Sequence, residues 1–490
     1  MEYQHRDRYG ENRWTLVHGS YDGIERIAVD SLQRSVQRHL PYVLTVRPAG
    51  DDVSRDDNLA MVGTCDGNPL LREIAEGVSI LSPPGPQGYA VAAMPSPWAE
   101  GKKVVAVAGF DPAGVLHGVH DFNARIMAAQ VMPEDPREMQ KAFDEIEAFT
   151  IVERPAIERR GIWSWGYTIY DYRRFLDNMA RLKMNELTIW NDVVPANARQ
   201  VIDYAHERGI RIVWGYHWGW GLEGLDLASR DDCRRVKKQV VDTYVQQYQD
   251  LAVDGIYFQT LTEHNDLERS GRSTASLACD WVNEISAALY EVDPDLYIQF
   301  GLHATSIREN YKDLASLDER VTIVWEDAGV LPFAYSPERD IKAGRPDSLE
   351  STIEYCRQLA TFRPNSEFAM VPKGWINIRW RTDFEHHGPF ILGERAPSFI
   401  RQRLRERQPL WNKRNASWLK DYALAARFYR KMLDCGPPRM TVTALVEDGM
   451  IEEVIQPSVA LFAETIWDPR RDDDEILELA MSPYYREGAG

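Results

Sequence analysis

Between residues 158 and 467 the chain repeats one pattern eight times. A short apolar run meets a polar or aromatic stop, and a longer stretch with helical spacing follows. The runs are Arg160–Trp165, Glu186–Trp190, Ile210–Tyr216, Asp254–Thr260, Leu296–Gly301, Val321–Trp325, Glu367–Val371 and Val459–Ala463. Runs this apolar, with little alternation, suit strands covered on both faces, as in a parallel sheet. Between them, Asp171–Lys183, Ala196–Arg208, Asp231–Leu251, Ala275–Tyr290 and Leu349–Thr361 read as helices. More helix is expected within Ala396–Leu433 and Val446–Ile455. Eight strands alternating with helices predict a (β/α)8 barrel, also called a TIM barrel.

Residues 1–150 read as a small α/β accessory domain, and 151–490 as the barrel with C-terminal helices. In the first part, strands are expected at Arg13–His18, Val43–Val46, Ala60–Gly63, Val78–Leu81, Tyr89–Ala93 and Lys103–Gly109. Ile24–Leu40 has helical spacing. Asp111 followed by Pro112 is an N-cap with proline at the first helical position, opening a helix to about Ile126. The acidic stretch Pro133–Phe149 is expected to be a linking helix with a solvated face.

The net charge of −18 argues against a nucleic-acid or anionic-membrane partner. A small molecule or an oligosaccharide is the expected partner, and homo-oligomerisation is left open. Cys65, Cys233, Cys279, Cys356 and Cys435 are scattered and form no CxxC pair, which fits reduced structural thiols. The first residues, MEYQHRDRYGENRW, lack an apolar signal region, so the cytoplasm is the expected compartment. No stretch is apolar enough for long enough to span a bilayer.

In a barrel of parallel strands the chemistry sits at the carboxyl ends. The stop residues there are Trp163, Trp165, Asn191, Asp192, His217, Glu263, His264, His303, Glu326, Asp327, Lys373, Trp375, Glu464 and Trp467. Carboxylates, imidazoles and indoles on one rim point to glycoside chemistry, which needs two carboxyl groups flanking the scissile bond. Glu263 is the candidate general acid. Asp327 and Glu326 are equal candidates for the base or nucleophile, because neighbours in a strand face opposite ways. Asp192 and Glu464 are expected to bond sugar hydroxyls unless they form rim ion pairs. His303 is either a hydroxyl or carboxylate ligand or a satisfied rim histidine, and His264 a partner of Glu263 or a loop residue. Lys373, Arg379 and Arg381 hold a uronate carboxylate or are surface charges. Phe384-Glu-His-His387 lacks zinc spacing, so no metal and no cofactor are expected. The 15 Trp and 22 Tyr supply aromatic faces for core packing and for stacking on pyranose rings.

Val104–Ile126 (VVAVAGFDPAGVLHGVHDFNARI) resembles the end of the domain that precedes the barrel in glycoside hydrolase families 20 and 67. Arg160-Gly-Ile, Arg181–Asp192 (RLKMNELTIWND) and Tyr204–Val213 (YAHERGIRIV) are similar to the first third of the family 20 barrel. The resemblance covers residues 100–220; beyond that it is architectural. It implies an accessory domain before a catalytic barrel, and an acid glutamate after strand four, which Glu263 matches. Family 20 carries an aspartate where Thr262 stands, and threonine has no charge to stabilise an oxazolinium ion. The expectation is therefore an exo-acting glycosidase, α-glucuronidase-like, with a β-N-acetylhexosaminidase-like enzyme and a non-catalytic carbohydrate-binding barrel as alternatives.

Overall fold

The computed structural model describes residues 13–77, 82–129, 135, 138–191, 193–219, 222–259, 268–303, 308–326, 349–375, 391–446 and 448–487. The chain divides into two compact units. One comprises Met1–Pro155, His206–Gly209 and Met481–Glu487; the other comprises Ala156–Ala205, Ile210–Ala480 and Gly488–Gly490.

The first unit is built on a six-stranded mixed sheet. Its strands are β1 (Trp14–His18), β2 (Thr45–Pro48), β3 (Asn58–Thr64), β4 (Tyr89–Pro95), β5 (Lys103–Gly109) and β6 (Phe149–Glu153). The order is β2-β1-β3-β5-β4-β6. β5 is buried from Val104 to Gly109, as its unbroken apolar run requires of a central strand. Asp111 caps the helix Pro112–Phe122, its carboxylate accepting from the backbone N–H of Gly114 at 2.8 Å. Among the described residues of the expected linking helix, Met139–Asp144 is α-helical, and Phe149, placed at its end, instead opens β6, antiparallel to β4. The expected strand Val78–Leu81 lies outside the described residues.

The second unit is a closed barrel of eight parallel strands with flanking helices. The strands are β7 (Arg159–Trp165), β8 (Glu186–Trp190), β9 (Arg211–Gly215), β10 (Gly255–Phe258), β13 (Ile298–His303), β14 (Val321–Glu326), β15 (Phe368–Val371) and β16 (Met440–Leu445). The short pair β11 (Glu268–Arg269) and β12 (Arg272–Ser273) forms a hairpin ahead of the helix Thr274–Val292.

The eighth strand is therefore Met440–Leu445, not Val459–Ala463. The latter run belongs to the helix Pro457–Trp467, buried from Ser458 to Trp467. A helix buried on every side loses its 3.6-residue pattern and reads like a buried strand. β16 (MTVTAL) alternates threonine with apolar residues, because its threonines face the barrel interior, where Thr441 bonds Glu367. In the stretch Val446–Ile455, expected to be helical, Val446 bridges Trp375 and residues 448–454 are turns and bends.

The amino-terminal end of the barrel is closed by a buried charged layer. Glu186, fully buried, accepts from Gln299 at 2.9 Å and lies 3.6 Å from Arg211. Glu367 accepts from Tyr297 at 3.1 Å and lies 3.4 Å from Arg159. Burial pushes the Glu186 carboxyl and the Tyr297 hydroxyl up from their ordinary ranges, and the neighbouring guanidiniums oppose it. Above this layer the interior is apolar, formed by Trp163, Trp165, Trp190, Val213, Tyr257, Val324, Ala369, Val371 and Leu445. Among the described residues no helix is long and apolar enough to cross a membrane.

Candidate active site

The strand period of two decides which side chains reach the barrel mouth. On β14, Thr322 and Val324 belong to the interior layers just described, so Glu326 faces inward too. Its partners come from β10, which lies beyond β13, and from the segment after β15. The Tyr257 hydroxyl of β10 donates to one carboxylate oxygen, and the Gln259 amide donates to the other at 3.1 Å. Lys373, just past β15, places its ammonium 3.3 Å from Oε2. Glu326 is nearly buried, and charge at that depth persists only when donors surround it.

Tyr257 reaches Glu326 because β13 leaves room. A Cβ built on Gly301 would sit 1.9 Å from the tyrosine hydroxyl. On β9, a Cβ at Gly215 would meet the Trp190 ring at 2.5 Å. These two glycines let bulky side chains fill the mouth without forcing the strands apart.

The aromatic wall is Trp163, Trp165 and Trp190. Trp163 and Trp165 meet edge to face at 4.8 Å, and Trp190 packs against both. His217, half-buried, stands perpendicular to Trp190 at 4.6 Å. Behind this wall Asn191 accepts from the backbone N–H of Gly166 at 2.8 Å. The indole N–H of Trp163 and the side-chain amide of Asn191 have no acceptor among the described residues. A buried donor left so costs about 1–3 kcal/mol, which an acceptor from a ligand would relieve.

The structure thus gathers Glu326, Lys373, Trp163, Trp165, Asn191 and His217 at the carboxyl end of the barrel. Glu263, His264, Asp192 and Asp327 lie outside the described residues, as do Arg379, Arg381 and Phe384–His387. His303 ends β13 in register with Glu326; of its side chain nothing is described.

Of three further residues expected at the rim, Glu464 and Trp467 lie elsewhere, and Trp375, whose backbone bridges Val446 just past β16, turns its ring away. Glu464 is on the helix Pro457–Trp467, with its carboxylate 3.1 Å from Lys183 and 3.0 Å from Arg471. Trp467 ends the same helix, its ring 4.9 Å from both Arg160 and Lys183. Trp375 stacks on Trp418 at 4.7 Å and meets Phe462 at 5.1 Å, fully buried between helices. Glu464 and Trp467 belong to a run that is helix and not strand, and all three side chains pack among helices. Tyr257, Gln259 and Trp190 were missed as site residues. The sequence signal for them is parity: Gln259, just past β10, is two residues on from Tyr257, and Trp190 is the last residue of β8.

A second buried cluster lies where the loops after β7 and β16 meet the long helix Pro397–Leu433. Tyr170 and Arg403 both bond Asp448, and Arg407 pairs with it as well. Glu452 accepts from the backbone N–H of Tyr170 at 3.0 Å, while its other oxygen has no partner among the described residues. Burial pushes the Glu452 carboxyl up to about 8, opposed by the Tyr170 N–H and assisted by the charges of Asp448 and Asp171. Among the described residues no group of three or more His, Cys, Asp or Glu is placed to hold a metal ion.

No family model matches this sequence, and no curated protein matches it. The fold resembles that of CpGH84B. That likeness covers 95% of this chain and 70% of CpGH84B, with TM-score 0.50 and 10% identity. A β-N-acetylhexosaminidase from Bacteroides fragilis NCTC 9343 matches 98% of this chain over 87% of its own, with TM-score 0.44 and 11% identity. A Flavobacterium johnsoniae chitobiase (FjGH20) matches 74% of this chain over 56% of its own, with TM-score 0.43 and 10% identity. At such identity the likeness is one of fold.

Proposed function

We propose that the chain is an O-glycoside hydrolase that releases a terminal sugar by two-carboxylate chemistry. The observation that carries this is Glu326, held at the carboxyl end of a TIM barrel by Tyr257, Gln259 and Lys373 beside a wall of three tryptophans. All three described partners are donors. A carboxylate so held accepts a proton or a developing positive charge, which is the work of a base, nucleophile or charge stabiliser. The acid role then falls to Glu263, five residues beyond β10. The indole faces suit the apolar faces of a pyranose, and the unpartnered N–H groups of Trp163 and Asn191 suit its hydroxyls.

On substrate, the β-N-acetylhexosaminidase-like reading is favoured over the α-glucuronidase-like one. Lys373, one of the three cations expected to hold a uronate carboxylate, is engaged by Glu326. The run Arg181–Asp192 adds the similarity to family 20. Thr262 makes the oxazolinium route depend on a charge supplied from elsewhere, and Glu326 is the described carboxylate closest to that role.

The test is a screen of aryl glycosides that includes N-acetyl-β-hexosaminides and α-glucuronides, repeated with Glu326→Gln and Glu263→Gln. Turnover lost in both variants, with sugar binding kept, supports the proposal. Sugar binding without turnover of any glycoside by the wild type would reassign the barrel to carbohydrate binding.

A further inference from the structure

The helix Pro397–Leu433 carries charge of the sign opposite to the rest of the chain. From Pro397 to Lys420 it holds seven cations and a single anion, Glu406, in a protein whose net charge is −18. Two of the cations turn inward: Arg403 and Arg407 hold Asp448, which fixes this part of the helix to the loops after β7 and β16. Those loops belong to the barrel end that carries Glu326.

Four others, Arg401, Arg405, Lys413 and Lys420, are exposed and have no carboxylate within ion-pair distance among the described residues. The second half of the same helix behaves differently. Arg427 pairs with Glu350 at 2.8 Å, Arg430 with Asp473, and Lys431 with Asp434 at 3.9 Å. Arg401 and Arg405, four apart and alike in charge, repel one another, so folding alone gives no reason for them. At 1.5 Å per residue, Arg401 to Lys420 spans about 28 Å. Phe399, 44% exposed, stands at the start of the strip, with Arg395 5.6 Å from its ring.

We propose that this strip binds an anionic polysaccharide alongside the barrel mouth, with Phe399 as a stacking surface and Arg401, Arg405, Lys413 and Lys420 as counter-charges. The inference rests on the glycosidase reading for the choice of polyanion. Both a nucleic acid and an anionic glycan would answer the charge of the strip, but only a glycan chain has a reason to lie beside a sugar site.

The experiment is affinity electrophoresis of the full chain in gels containing polygalacturonate, chondroitin sulfate or neutral dextran. The wild type is expected to be retarded by at least one anionic polysaccharide, not by dextran, and to be released by salt. The variant Arg401→Gln/Arg405→Gln/Lys413→Gln/Lys420→Gln is expected to bind about tenfold more weakly or worse, with its thermal midpoint as the control for folding. Equal retardation of variant and wild type, retardation by dextran, or stronger retention by duplex DNA overturns the proposal. So does a dimer that the variant alone abolishes, with no polysaccharide retained. A chain that is retained but turns over no aryl glycoside overturns the glycosidase reading while the strip stands; turnover without retention overturns the strip alone.

Discussion

The ammonium of Lys373 lies 3.3 Å from Glu326 Oε2, joining the end of β14 to the segment after its neighbour β15 at the barrel mouth. A lysine so placed gives a nearly buried carboxylate a charged donor and fixes its orientation. Glu326→Gln is expected to lower kcat on the glycoside identified by the screen by about 10²–10⁴-fold. Lys373→Met should lower it less, because Tyr257 and Gln259 still hold the carboxylate. Full activity in Glu326→Gln would remove it from the reaction.

Gly301 is the clearance for the Tyr257 hydroxyl. Gly301→Ala sets a methyl against that hydroxyl and should cost about 1–3 kcal/mol, read from the denaturation midpoint. It should also impair turnover, since a displaced Tyr257 releases Glu326. An unchanged midpoint would mean that the strands separate freely at this point.

Lys183 and Glu464 form an internal ion pair, each side chain only 1% exposed. Glu464→Leu leaves the lysine charge buried and is expected to cost about 3–5 kcal/mol. Lys183→Met combined with Glu464→Leu should recover part of that loss, the remainder reflecting Arg471, which also loses its partner, and equilibrium urea unfolding would show it. If Glu464 instead met substrate, the single variant would raise KM with little change in stability.

Glu452 predicts a pH dependence. Its folded carboxyl keeps a proton up to about 8, whereas the unfolded chain releases it near the ordinary value of 4.5. Between those values the folded state binds more protons, so stability falls as pH rises through the window and levels off above it. Each pH unit within the window is worth about 1.4 kcal/mol at most. Glu452→Gln should flatten this slope, with its largest relative gain above pH 8. Thermal midpoints of both proteins from pH 5 to 9 give the comparison, and parallel profiles would refute it.

Trp375 divides packing from sugar binding. Trp375→Ala opens a void against Trp418 and Phe462 and should cost about 3–5 kcal/mol. KM for the hydrolysed glycoside should hardly move.

The sequence by itself determined the architecture. Seven barrel strands, their amphipathic partners and the capped helix at Asp111 follow from local periodicity and from one carboxylate reaching an N–H three residues on, both written in neighbouring residues. It also marked Glu326, Lys373 and the tryptophans as residues stopping buried strands. Tertiary structure alone decided the rest. Val459–Ala463 looks like a strand because a fully enclosed helix has no polar face, and only the barrel's closure through Met440–Leu445 shows which run pairs with β7. Glu464, Trp467 and Trp375 have the chemistry of a sugar site but lie among helices. Whether Glu326 turned inward was a matter of strand register. Register is fixed by pairing between segments far apart in the chain, Leu302 with Trp325 and His303 with Glu326 on one side of β14 and Val324 with Ala369 on the other, and by Gly301 yielding space to Tyr257.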